Sequence, residues 1–73
     1  MTRVCYFVSR FQDTKDESEG LRQRLETIAL KKFDEWQATQ MDIEILAINL
    51  RSNVYELVSA YAEVQCIYRE ALA

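Results

Sequence analysis

The sequence predicts an α+β fold of β-α-β-β order. Three observations predict it: a β-branched and aromatic run near the N-terminus, a helical apolar stripe through the middle, and a C-terminal part dense in isoleucine, valine and tyrosine. The chain has 73 residues, enough for one small domain spanning 1–73.

"RVCYFVSRF", residues 3–11, reads as the first strand, closed by the polar cluster "QDTKDESEG". That cluster carries helix-start signals. Thr14 with Glu17 and Asp16 with Glu19 each fit a capping box, so the spacing predicts a helix over about 16–40. Gly20, the only glycine, then falls in the first turn, where it costs up to about 1 kcal/mol relative to alanine. From there Leu21, Leu25, Ile28, Ala29, Phe33 and Trp36 form one apolar stripe. Lys32 lies inside the stripe, where its stem can snorkel to water. Phe33 and Trp36 read as core anchors rather than binding residues. The other charged side chains alternate in sign, as a solvated face does.

The final segments fit two periods. Read by sevens, Ile43, Leu50, Leu57 and Val64 with Ala47, Val54, Tyr61 and Tyr68 form a coiled-coil seam, which would make a helical adaptor. Read by twos, Val58, Ala60, Ala62, Val64, Cys66 and Tyr68 form one face of a strand. Strands are favoured because the N-terminal strand needs partners, because helix formers thin out here, and because "RSN" can form a turn with Asn53 left-handed. Strands over about 43–51 and 54–69 follow. A slip at Leu46 and Ala47 marks a bulge.

A helix of this length returns the chain along the sheet, and a hairpin then sends the third strand back. The result is a three-stranded antiparallel sheet of order 1-3-2, with one long amphipathic helix on one face. The small face of the third strand suits the helix. The first strand is apolar on both sides, Val4, Tyr6 and Val8 against Cys5, Phe7 and Phe11, so the sheet's other face is expected to be an interface, most simply of a homo-oligomer.

Composition excludes several functions. With no histidine, and with Cys5 and Cys66 far apart, no metal site or cofactor is expected, and the commonest catalytic base is missing. Glu63 with Glu70 and Glu44 with Glu56 form carboxylate pairs of the kind any surface yields. The chain reads as no enzyme. Cys5 and Cys66 can be bridged in principle, but buried reduced thiols are the commoner role within apolar runs. The net charge of −3, without a basic stripe, speaks against direct nucleic-acid binding. The N-terminal apolar run is too short for a secretory or membrane segment, so a cytoplasmic protein with no membrane association is expected. Tyr61, Glu63, Gln65 and Arg69 share a strand face; with Arg10 and Tyr55 they form the candidate binding site, where a small ligand or a partner loop could be held. An ordinary polar strand face is the plainer reading.

"DIEILAIN" and, after a gap, "VSAYAEVQCIYRE" give the pattern Asp42-Ile43, Ser59-Ala60 and Ile67-Tyr68. This resembles a family of very small sporulation-named proteins of spore-forming bacteria. Val58-Ser59-Ala60 departs from the Tyr-Ser-Ala element of that family. The resemblance implies a βαββ fold and no defined biochemistry. Proteins of this size and build also look like phage-encoded accessory proteins that inhibit or sequester a host component. The expected function is therefore non-enzymatic: a small oligomeric protein that sequesters or inhibits a protein, small-molecule or nucleotide partner.

Overall fold

A computed structural model describes residues 1–11, 20–54 and 59–71. Strand β1 (Thr2–Arg10) leads to helix α1 (Leu21–Thr39), followed by β2 (Ile43–Asn53) and β3 (Tyr61–Glu70). The three strands form one antiparallel sheet in the order β1-β3-β2. Residues 43–53 and 61–70 are thus strands, and a single long C-terminal helix does not form.

The core is the apolar stripe of α1 laid on the small-residue face of β3. Leu21, Leu25, Ala29 and Phe33 are buried against Ala60, Ala62, Val64 and Cys66. Small side chains on β3, with Ala29 facing them, let the helix axis come close, and burying a side chain such as Leu25 stabilises by on the order of 1.5–3 kcal/mol. Cys5, Phe7 and Phe11 flank this centre on the β1 side, while Ile45 is the residue of β2 that joins it. One end is closed by an aromatic cluster. The ring of Phe7 lies 5.7 Å from that of Phe33 and 5.5 Å from that of Trp36, and Trp36 meets Tyr68 at 5.0 Å. Trp36 is half-buried rather than enclosed, so its indole serves as a lid on Phe33. Ser9 is completely buried, opposite Ala62, and its hydroxyl has no hydrogen-bond partner.

Several local expectations are corrected. The described helix starts at Leu21, and Gly20 precedes it as the N-cap with φ of 88° instead of lying in the first turn. Its carbonyl accepts the first helical bond, from the Arg24 N–H at 2.9 Å. The capping boxes at Thr14/Glu17 and Asp16/Glu19 lie outside the described residues. At the other end Thr39 Oγ1 donates to the Trp36 carbonyl at 2.7 Å, satisfying a terminal acceptor that no glycine or charged residue covers.

The "RSN" segment is not a turn. Arg51, Ser52 and Asn53 pair with Glu63, Ala62 and Tyr61, so ladder pairing overrides their turn chemistry. Among the described residues the left-handed non-glycine residue is Asp42, φ 58°, at the entry to β2. Consequently β3 begins at Tyr61 rather than near Val54. The bulge is present: β2 shifts register between Ile45 and Ala47, which sends the strand's alternation out of phase by one residue.

Two measurements check this account. Gly20→Ala should destabilise by about 1 kcal/mol, because a left-handed φ costs a Cβ that much, although open space surrounds the position. A gain in the urea midpoint would instead place Gly20 within the helix. Trp36→Ala should cost about 3 kcal/mol, the low end for aromatic truncation, since the indole is only partly buried; an unchanged melting temperature would remove it from the core.

Candidate binding surface

Backbone hydrogen bonding fixes what each strand presents. The Phe11 N–H donates to the Ala60 carbonyl at 3.2 Å, and the Ala71 N–H donates to the Asp42 carbonyl at 2.6 Å. Because both polar groups of a strand residue point to the same side, the even residues of β3 bond β1 and its odd residues bond β2. Side chains alternate likewise. Ala62, Val64, Cys66 and Tyr68 face the helix, and Tyr61, Glu63, Gln65, Ile67 and Arg69 form the middle of the open face.

The register arranges that open face as cross-strand rows. Arg69 Nε donates to Glu44 Oε2 at 2.8 Å. The next row is apolar, with Ile67 between Val4 and Ala47. Then comes a polar row in which Asn49 Nδ2 donates to Gln65 Oε1 at 3.0 Å and Gln65 Nε2 donates to the Tyr6 hydroxyl at 3.2 Å. Glu63 follows, paired with Arg51 at 3.6 Å, and Tyr61 stands between Arg10 and Asn53 in register.

The structure therefore brings Tyr61, Glu63, Gln65 and Arg69 onto one face, with Arg10 beside Tyr61. Tyr55 lies outside the described residues. The face is less apolar than the sequence suggests. Glu63, Gln65 and Arg69 already hold neighbours in the sheet, so a ligand would compete with these pairs instead of meeting unpaired groups. The Arg69–Glu44 pair is about half exposed on both sides, and such surface pairs contribute about 0–1 kcal/mol. It can be exchanged for a partner at little cost.

Concave features occur elsewhere, at the sheet end where β1 and β2 begin and β3 finishes. A shallow cleft of about 270 Å³ opens between Arg3, Asp42, Ile43 and Tyr68, and a second of about 460 Å³ borders Met1, Glu44 and Arg69. Arg3 pairs with Glu70 across this end at 3.5 Å. Of the candidate residues that are described, only Arg69 reaches either cleft. Sequence spacing could not show these clefts, because they arise from where three element ends meet.

The cysteines are an in-register pair. Cys5 lies directly across from Cys66 on the helix side of the sheet, and both are free thiols. Burial, with the neighbouring Cys66 adding to it, pushes the Cys5 thiol from 9.0 up to about 11. Burial also pushes Cys66 up, against a hydrogen bond from Cys5 that lowers it. Such thiols are poor nucleophiles at neutral pH. Among the described residues no group of three or more His, Cys, Asp or Glu side chains could hold a metal ion, and no helix is long and apolar enough to cross a membrane.

Comparison with known protein families, with curated proteins and with solved structures found no match.

The thiols give a pH prediction. A group whose pKa is raised by folding stabilises the fold below its ordinary value and loses that contribution as pH rises through the folded one. Stability should fall from about pH 9 toward 11, and by less in Cys5→Ala, read as urea midpoints. At pH 8 an alkylating agent should label the native chain far more slowly than the urea-unfolded one. Equal labelling rates would show that the thiols are not buried.

Proposed function

We propose that the chain is a non-enzymatic binding protein that works as a small homo-oligomer and acts by occupying a protein or small-molecule partner. The observation that supports this is the one-sided architecture. Among the described residues one helix, α1, covers one face of the sheet, and the other face, three strands wide, has Val4 and Tyr6 exposed beside the Tyr61, Glu63, Gln65 and Arg69 column. A flat surface mixing aromatic, apolar and exchangeable polar groups suits recognition more than chemistry. Buried thiols of raised pKa and the absence of histidine fit the same reading.

Sequestration or inhibition of a partner, of the kind phage accessory proteins perform, is the mode this build suits, since occupying a surface needs no cavity. The resemblance to the sporulation-named family rests on the short motifs Asp42-Ile43, Ser59-Ala60 and Ile67-Tyr68 and adds no biochemistry to it.

Native mass spectrometry on gently purified protein tests the reading: a defined oligomer carrying retained mass is expected. Tyr61→Ala and Arg69→Ala should each weaken capture of that retained partner at least about tenfold, while shifting stability by less than about 1 kcal/mol for Arg69. Undiminished capture by both variants would remove this column from the binding surface.

A further inference from the structure

We infer that β2 pairs with the β2 of a second copy, antiparallel about a two-fold axis near Asn49 and Leu50, joining two three-stranded sheets into one of six; this rests on the homo-oligomer reading above. The inference starts from the two outer edges of the sheet, which are not equivalent. On β1 the outward-pointing carbonyl of Val8 is taken by Lys32 Nζ at 2.7 Å, so a lysine from the helix caps one position of that edge, near the strand's C-terminal end. On β2 the outward-pointing backbone belongs to Ile48, Leu50 and Ser52, because Asn49, Arg51 and Asn53 are turned toward β3. Among the described residues no side chain caps the backbone of Ile48 or Leu50.

The side chains along this edge carry the second observation. Ile48 and Leu50 stand opposite Cys66 and Val64, hence on the helix side of the sheet, yet they are 48% and 43% exposed. The helix packs mainly on β1 and β3; β2 joins the core through Ile45 near its start, and toward its other end Ser52 Oγ donates to Glu26 Oε2 at 3.2 Å. Leu30, on the helix flank that carries Glu26, is 39% exposed. An apolar strip therefore runs along the strand whose edge is unpaired.

A second copy fits this strip. Pairing about Asn49 sets Ile48 against Leu50 of the other copy, and pairing about Leu50 sets Leu50 against itself and Ile48 against Ser52; the first keeps both apolar side chains of each copy together on the helix side. Both also place Arg51 opposite Ala47 or Asn49, so no like charges face each other. The regular stretch from Ala47 to Asn53 lies beyond the bulge and is long enough for such pairing.

The test combines light scattering across a micromolar concentration series with amide hydrogen exchange. The wild type should be a dimer, with the Ile48, Leu50 and Ser52 amides protected in proportion to dimer population. Leu50→Lys should raise the dissociation constant about a hundredfold or more while keeping the circular dichroism of the parent, since Leu50 is already part exposed in the monomer. A dimer of undiminished affinity in Leu50→Lys, or one whose Ile48 and Leu50 amides exchange at the monomer rate, would overturn the β2 pairing and leave the oligomer reading standing. A wild type that stays monomeric throughout would overturn both.

Discussion

Everything in this structure depends on the close approach of one helix to one strand. Among the described residues β3 is the only strand with two neighbours, and its inward residues from Ala60 to Cys66 are small enough for α1 to settle between them. Once Leu21, Leu25, Ala29 and Phe33 are seated there, the helix has a fixed lateral position. β1 then receives its flank through Phe7 and Phe11, and Lys32 reaches the outer carbonyl of Val8. β2, on the other side, receives little. The same contact that builds the core therefore decides which strand is left uncovered, linking packing in the centre to the character of the surface at the margin.

The open face follows a different rule. Its stability does not come from burial but from rows of cross-strand partners, each modest in energy. Polar residues that bond only one another can be rearranged singly without exposing a buried group. Buried Ser9 is the opposite case: its hydroxyl is desolvated without compensation, a cost on the order of 1–3 kcal/mol carried by a very small core.

Much of the architecture was legible because it rests on local periods. Alternation from Ala60 to Tyr68 gave the helix-facing side of β3, the slip at Leu46 and Ala47 gave the bulge, and the position of Lys32 within the stripe gave its reach beyond the helix. The errors fall where tertiary pairing overrides local chemistry. Asn53 looks like a turn residue, but its partner Tyr61 holds it in the ladder. Gly20 looks like a weak helical residue, but it takes a backbone conformation that only its lack of a Cβ makes easy. For the candidate site, the shared face of Tyr61, Glu63, Gln65 and Arg69 could be read from parity alone. That Glu63, Gln65 and Arg69 already have partners could not, since Arg51, Asn49, Tyr6 and Glu44 come from strands whose register no local signal sets. The uncovered strip on β2 was equally hidden, because it depends on where the helix lies across the sheet.

The bulge between Ile45 and Ala47 has a consequence for how the gene can vary. Ile45 and Ile48 are three positions apart, yet the bulge puts both on the helix side; were Leu46 paired regularly, the strand beyond would be turned over, with Asn49 and Arg51 facing inward and Ile48 and Leu50 facing outward. Substitutions along β2 change one side chain each. Loss of the single codon for Leu46 would straighten the strand and leave Ala47 to Asn53 facing as they do, so at this point the segment tolerates a one-residue loss that would invert a regular strand.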